Sequence, residues 1–257
     1  MKVPKIFTLV YTTLGFLIAG IVFAMGGHGE TFRANIGQTG SNSVHEVPGA
    51  QIPKSKLARD AAQFVRDTEG DLLFQHSTRV YLWAALTGKR EGLAFDPQLL
   101  YVAAMFHDFG LTAAYKDSHL RYEVDGANAA RDFLRSHGIS EADSERVWLA
   151  IALHTTNGIS AHLFPVAALV AEGANMDLVG AGYDDFTAEQ RDAVEAAYPH
   201  TAQFAEDFLQ ALYNSLKHRP ETTQGTGLAD VLAYKDPHFS RRDFSSLMRN
   251  SHWVAGR

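Results

Sequence analysis

One pattern recurs from Ser55 to the end of the chain. Apolar residues lie three and four positions apart, and each stretch begins at a capping residue and ends at glycine or proline. After Ser55, four apolar residues follow this spacing: Leu57, Ala61, Phe64 and Val65. A residue that caps a backbone N–H, followed by this period, is typical of an amphipathic helix. The first helix is therefore predicted to run from Ser55 to about Thr68.

The same signals recur along the chain. Gly88 is predicted to end the second helix, Asp96-Pro97 to begin the third, and Thr187 to begin a later one through a capping box. Further helices are predicted over 71–86, 97–106, 122–136, 141–153, 165–176, from 188 onward, and 199–217, with a loop over 109–121. No run combines β-branched residues with strict alternation. The fold class is therefore all-α, an irregular antiparallel helical bundle with its site between facing helices.

The composition limits the possible chemistry. The chain of 257 residues has a formal net charge of −6, which argues against a broad basic face for nucleic acid. It contains no cysteine, which excludes disulfides and thiolate metal ligands. A metal would therefore be held by His, Asp, Glu or water. The expected partner is a small-molecule substrate, and the sequence gives no oligomeric state.

The N-terminus has the composition of a targeting segment. Lys2 and Lys5 precede an uncharged apolar run over 6–25, so residues 1–26 are predicted to be a signal peptide or a membrane anchor. Both alternatives place the remaining chain outside the cytoplasm, with membrane contact only through this segment if it is retained. The expected organisation continues with a flexible linker over 27–54, a domain over 55–225 and an extension over 226–257 that packs on the domain.

Four acidic and imidazole side chains stand out against apolar surroundings. His107-Asp108 follows an apolar helix, His76 lies mid-helix, and Asp177 lies near the end of another apolar helix. A buried unpaired charge is costly, and a divalent ion would remove that cost. Two imidazoles and two carboxylates suit zinc, manganese or iron. Plain buried His–Asp hydrogen bonds remain the alternative, and spacing alone does not choose between them.

Six segments resemble one known family. H…HD…D on successive helices is the arrangement of the HD superfamily of metal-dependent hydrolases, and the chain is similar to its cyanamide hydratase-like branch over roughly residues 55–225. The matching segments are HSTRVYLW (76–83), MFHDFGLT (105–112), RYEVDGANAARDFL (121–134), VWLAIALHT (147–155), ALVAEGANMDLVG (168–180) and HRPETT (218–223). The HD motif alone is moderately specific, and its combination with the YEVDGA and LHT segments is more so. The leader departs from the family pattern.

The resemblance implies both a metal centre and catalytic residues. One divalent ion, zinc in the first instance and manganese or iron otherwise, would be held by His76, His107, Asp108 and Asp177. His154 would be a pocket residue that carries a proton, and Glu123 and Asp125 would line or support the cavity. Acids in the first turn of a helix also offset its dipole, which is a second interpretation of Glu123 and Asp125. If that helix began earlier, His119 and Glu123 would share a face and a second ion would be an alternative.

The resemblance also implies a reaction. The leading hypothesis is a metal-dependent hydratase that uses metal-activated water on a small nitrile such as cyanamide, with His154 or Glu123 delivering a proton. The alternative is an HD phosphohydrolase acting on a nucleotide or another phosphoester, although Leu111 occupies a position where many such enzymes carry lysine. A third hypothesis is a non-catalytic module that binds a metal or ligand. An apolar cavity for a nitrile would be walled by aromatic residues: Phe74, Trp83, Phe106, Phe109 and Tyr122.

Overall fold

The computed structural model describes residues 47–253, and its regular structure there is helical apart from one isolated bridge between Val47 and Ala50. The all-α prediction is confirmed. Ten α-helices lie in this range: α1 Lys56–Arg66, α2 Asp71–Arg90, α3 Pro97–Phe106, α4 Tyr122–Ser136, α5 Glu141–Ala152, α6 Pro165–Val179, α7 Ala188–Ala197, α8 Phe204–Leu216, α9 Leu228–Lys235 and α10 Phe244–Arg249. None of the described helices is long and apolar enough to cross a bilayer. The predicted leader, residues 1–26, lies outside the described residues.

The helix starts follow the predicted caps. The Ser55 hydroxyl accepts a hydrogen bond from the Ala58 N–H at 3.2 Å, and Thr187 and Gln190 form the predicted capping box. The predicted stop at Gly88 is wrong, because α2 continues to Arg90. A Cβ at Gly88 would lie 2.4 Å from the Phe95 ring, so this glycine makes room for packing instead. The eighth helix likewise begins at Phe204, five residues later than predicted.

Close backbone contacts bring the site-bearing helices together. A Cβ on Gly173 of α6 would lie 2.4 Å from the Val80 carbonyl oxygen of α2, so these two helices touch backbone to backbone. One turn from that contact, Asp177 meets His76, which shows that α2 and α6 run antiparallel. A Cβ on Gly126 of α4 would lie 2.5 Å from the Phe106 carbonyl at the end of α3. Glycine at these positions therefore sets the spacing around the site.

Two apolar clusters surround the site. The larger one includes buried residues of α1 to α7, and the smaller one joins Leu73 and Leu111 to α8 and α9. Val47 and Ala50 are buried in the larger cluster although they fall inside the predicted 27–54 linker, so packed structure begins earlier than that boundary. Residues 27–46 of the predicted linker lie outside the described part of the chain.

The C-terminal segment has two different halves. Helix α9 packs on α8 through Val231 and Leu232, whereas α10 leaves Phe244 and Met248 exposed. The division into a domain over 55–225 and an extension over 226–257 stays a prediction, since α9 shares a cluster with the domain.

Candidate metal centre

Three predicted ligands converge between α2 and the end of α3. His76 occupies the middle of α2, His107 caps the C-terminus of α3, and Asp108 follows it in the turn before Phe109. His76 Nε2 lies 3.1 Å from His107 Nε2 and 3.5 Å from Asp108 Oδ2, and His107 Nε2 lies 3.3 Å from that same oxygen. All three side chains are buried, and their ligand atoms could hold one metal ion.

The hydrogen bonds of the two imidazoles determine which nitrogen carries a proton. His107 Nδ1 lies 2.7 Å from the Ala104 carbonyl oxygen, which only accepts, so Nδ1 is the donor. His76 Nδ1 donates in the same way to Asp177 Oδ2 at 2.7 Å. When both rings are neutral, each Nε2 therefore carries a lone pair without a hydrogen-bond donor. The two Nε2 atoms face each other beside the Asp108 carboxylate. A shared cation satisfies this arrangement, so the three side chains fit a divalent ion.

The charges of the centre support the same assignment. Burial would raise the pKa of Asp108, but His107, His76 and His154 outweigh it and hold that pKa well below its ordinary value. Burial lowers the pKa of His76, which keeps its imidazole neutral. For His107, burial would also lower the pKa, and the Asp108 charge reverses the direction. Asp108 is thus held ionised and His76 neutral, the states in which these residues bind metals, and metal binding at His107 would release any proton held there.

Asp177 lies on the opposite edge of the His76 ring. Besides His76 Nδ1, its carboxylate accepts from Arg79 Nε at 2.7 Å, Arg79 Nη2 at 2.9 Å and Trp83 Nε1 at 3.0 Å. His200 Nε2 lies 3.4 Å from Oδ1. Asp177 is thus the one predicted ligand that is not grouped with the other three. In this structure it holds His76 in position, as carboxylates commonly do for metal-binding histidines.

His154 lies beside the three ligands. Its Nε2 is 3.7 Å from Asp108 Oδ1 and 3.5 Å from the Tyr122 hydroxyl, while Nδ1 donates to the Ile151 carbonyl at 2.7 Å. Nε2 is consequently unprotonated. Burial, aided by the charge of His107, lowers the pKa of His154 to about 4. The neutral ring can therefore accept a proton, and the predicted role of His154 as a residue that carries a proton stays a prediction.

Glu123 and Asp125 have different surroundings. Glu123 is fully buried and is held by Arg121 and the Thr155 hydroxyl; burial would raise its pKa, but these partners and His154 lower it. Asp125 forms a buried ion pair with Arg219 and accepts from Ser118 Oγ at 2.9 Å. Helix α4 begins at Tyr122, so the alternative in which an earlier start pairs His119 with Glu123 is wrong.

A small cavity opens onto the centre. It has a volume of about 200 Å³, and its wall includes His107, Asp108 and His154. No lysine or arginine lines it within residues 47–253. The predicted aromatic wall is largely wrong: of its five members only Tyr122 lines the cavity, and the apolar wall consists of Ala174, Leu178, Phe208, Leu212 and Leu228. Thr226, Gly227 and Leu228 belong to the predicted C-terminal extension.

Several residues that organise the centre were not predicted from the sequence. Arg79 and His200 contact Asp177. Arg79 lies one turn after His76 in the HSTRVYLW segment, whereas His200 had no signal beyond residue type. Glu69 lies at the bend before α2, is 6% exposed, and has no hydrogen-bond partner for either carboxylate oxygen among the described residues. Arg219 is marked in the same way, by its place in the HRPETT segment. His137, in contrast, caps α4 through the Phe133 carbonyl at 2.8 Å, as its position before Gly138 predicts.

The fold and the centre together define a class: an all-helical protein with a buried His-His-Asp set, in which the first histidine lies on one helix and a His-Asp pair ends another. The HD domain family matches residues 73–212, which contain all of these residues. The chain therefore belongs to the HD domain family. HD domains are generally metal-dependent hydrolases. A search of curated proteins found no match.

Proposed function

We propose that this protein is a metal-dependent hydratase of a small nitrile, with cyanamide as the best single candidate. The observation that carries this proposal is the cavity of about 200 Å³, which opens onto the metal-binding residues and has no lysine or arginine in its wall among the described residues. A phosphoester brings negative charge that enzymes usually neutralise with such side chains. A small neutral molecule needs none.

The metal would be held directly by His76, His107 and Asp108, with Asp177 acting through His76. Zinc suits two imidazoles and a carboxylate, and manganese and iron are the alternatives. A divalent ion bound there supplies Lewis acidity, which makes water more acidic and a nitrile more electrophilic. The unpaired Nε2 atoms and the ionised Asp108 support this assignment.

The chain's own residues would move the protons. His154 Nε2 accepts a proton from the attacking water while the water oxygen bonds to the nitrile carbon, and the ring then returns that proton to the nitrile nitrogen. The isourea so formed rearranges to urea, so water and cyanamide are both fully consumed in the product. Tyr122, whose hydroxyl lies 3.5 Å from His154, orients the ring. Glu123 would tune His154 by charge rather than touch the substrate, and Asp125 would act through Arg219.

The location is a separate proposal. We infer from the composition of residues 1–26 that the domain functions outside the cytoplasm, either secreted or anchored. Cell fractionation together with N-terminal sequencing of the mature protein tests this. A full-length, unprocessed protein in the cytoplasmic fraction contradicts it.

The reaction itself is tested by urea formation. The zinc-loaded protein is incubated with cyanamide and, separately, with a panel of nucleotides and simple phosphomonoesters and phosphodiesters. We expect urea from cyanamide and no phosphate or alcohol release from the panel. Phosphoester turnover without urea would instead support the phosphohydrolase alternative. A protein that binds metal but turns over neither would favour the binding-module hypothesis.

A further inference from the structure

Four large apolar side chains between positions 244 and 253 are exposed to solvent. In α10, Phe244, Leu247 and Met248 are 75%, 52% and 57% exposed. Trp253, shortly after the helix, is 90% exposed. No residue of α10 is buried. Single exposed apolar side chains are ordinary, but several that lie together are typical of a surface that binds another molecule or a membrane.

The spacing of these side chains places three of them on one face. Phe244, Leu247 and Met248 are three and four positions apart, so they share one side of α10. The helix is capped, because the Asp243 carboxylate accepts a hydrogen bond from the Ser246 N–H at 2.7 Å. An apolar helix face with a tryptophan close by matches the segments that lie in the headgroup region of a bilayer, where aromatic rings are favoured.

The segment is attached to the domain just before this face begins. Phe239 packs against the smaller apolar cluster, and the Arg242 N–H donates to Gln224 Oε1 at 3.2 Å. Arg241 forms an ion pair with Asp230 of α9. These contacts hold the start of α10 against the domain, while the apolar side chains beyond it stay exposed.

The charge of the segment differs from that of the whole chain. Residues 241–253 carry three arginines, Arg241, Arg242 and Arg249, and one acid, Asp243, whereas the chain has a net charge of −6. Among the described residues, neither Arg242 nor Arg249 is paired with a carboxylate. A basic apolar surface is complementary to anionic lipid headgroups. A symmetric contact with a second copy would instead place arginines against arginines.

We propose that α10 and Trp253 form a docking surface for an anionic phospholipid bilayer, a membrane contact separate from the N-terminal segment. One short helix binds a bilayer weakly by itself. If residues 1–26 are retained as an anchor, that tether keeps α10 at high effective concentration beside the same bilayer, and a weak contact is then sufficient. The proposal is independent of the nitrile hydration, and it adds a second contact to the proposed location.

Trp253 is a natural reporter for the test. The other two tryptophans, Trp83 and Trp148, are buried and partly buried, so the difference between the wild type and Trp253→Phe isolates the emission of Trp253. The full chain is added to phosphatidylcholine vesicles with brominated acyl chains, with and without phosphatidylglycerol. We expect bromine to quench Trp253 when phosphatidylglycerol is present, and to quench it less as salt screens the headgroups. No quenching in those vesicles overturns the inference.

A pair of charge reversals tests the role of the arginines. Arg242→Glu combined with Arg249→Glu should remove most of the quenching, because both charges then repel the anionic surface. Arg59→Glu combined with Arg146→Glu makes the same change at exposed positions of α1 and α5, and it should leave the quenching intact. Thermal unfolding confirms that both proteins are folded. An equal loss in the two proteins would mean a general effect of net charge and would overturn the docking surface.

Two further measurements separate this surface from its alternatives. Vesicle flotation reports anchoring through the N-terminal segment. Protein that floats with the vesicles while Trp253 stays unquenched supports the proposed location and refutes docking through α10. Ultracentrifugation without lipid tests a second copy. A dimer that Leu247→Ser dissolves, together with no quenching by brominated lipid, would assign the apolar face to self-association and overturn the inference.

Discussion

The two edges of the His76 ring face opposite kinds of surroundings. On the Nδ1 edge, Asp177 accepts hydrogen bonds from Arg79 and Trp83 as well as from His76, so the polar atoms there are paired. On the Nε2 edge, two bare imidazole nitrogens and a carboxylate oxygen lie within 3.5 Å of one another beside a cavity. We call these the back side and the open side of the centre.

The two sides therefore have different roles. The back side positions His76, and the open side binds the ion and takes part in the reaction. Paired groups on the back side have one low-energy arrangement, so they define where His76 points. Unpaired lone pairs on the open side are costly without a ligand, so they provide the affinity for a cation. Mutations on the two sides should accordingly differ in kind: those on the open side should remove metal or chemistry, and those on the back side should weaken a centre that still forms.

The largest effect is expected on the open side, at Asp108. Asp108→Ala removes the carboxylate oxygen that lies within 3.5 Å of both Nε2 atoms. Metal content should fall from about one ion per chain to none, and turnover should disappear with it, since both depend on that oxygen. Elemental analysis of the purified variant and a urea assay measure the two losses. An Asp108→Ala protein that retains its metal and full activity would remove Asp108 from the centre.

His154 should show a loss of chemistry without a loss of metal. His154→Gln keeps polarity but cannot accept and return a proton, so kcat should fall by about 10²- to 10⁴-fold at unchanged metal content. In the wild type, the rate should decline as pH falls through about 4, where His154 becomes protonated and can no longer accept. A pH–rate profile of both proteins checks this. If metal content falls in parallel with kcat, His154 is a ligand rather than a proton carrier.

A smaller effect is expected on the back side. Asp177→Asn keeps the shape of the side chain but places an NH₂ group against donors from Arg79 and His76. Metal affinity should fall by about 10- to 100-fold, the usual cost of losing the partner of a metal-binding histidine. Competition with a chelator of known affinity measures it. His200→Gln, which removes the 3.4 Å contact to Asp177 together with the His200 hydrogen bond to Glu195, is the matched control and should lose less. Loss of metal as complete as in Asp108→Ala would show that Asp177 binds the ion directly.

The smallest effect is expected at Glu69. Its buried carboxyl lies at the bend before α2 and has no hydrogen-bond partner among the described residues. Burial, with the charge of Asp108, raises the pKa of Glu69 well above its ordinary 4.5. The folded protein therefore holds a proton that the unfolded chain releases above pH 4.5, and wild-type stability falls as pH rises from there toward the folded pKa. Glu69→Gln removes this loss. It should be more stable by about 1–3 kcal/mol near pH 8, with the advantage shrinking toward pH 4.5.

Guanidinium unfolding of wild type and Glu69→Gln across that pH range measures the difference in free energy of unfolding. Asp67→Asn, a nearby change at an exposed acid, is the control and should show no such pH-dependent gain. A Glu69→Gln protein that is less stable at pH 8 would mean that the ionised carboxylate has a favourable partner in solution.

The sequence predicted those features that depend on neighbours along the chain. The capping residues and the apolar spacing predict the helices, and the resemblance to the HD family, carried by His76 and His107-Asp108, implies the metal centre. Gly88 was misread because a glycine that ends a helix and a glycine that admits a packed ring have the same local pattern. Only the approach of Phe95 and Leu169 distinguishes them.

The back side of the centre could not be predicted in this way. Asp177 and Arg79 are 98 positions apart, and their contact depends on the register of α6 against α2, which Gly173 permits. The same holds for Asp125 and Arg219, which are 94 positions apart. The C-terminal segment that lines the cavity gave no signal either, because Thr226 and Gly227 resemble any loop.

The most direct test of the account is the position of the ion. Crystals of the zinc-loaded protein, measured at the zinc absorption edge, would locate it by anomalous scattering. One peak per chain is expected, in contact with His76 Nε2, His107 Nε2 and Asp108. No peak at that position in a zinc-replete crystal, or a peak held elsewhere without these three side chains, would contradict it.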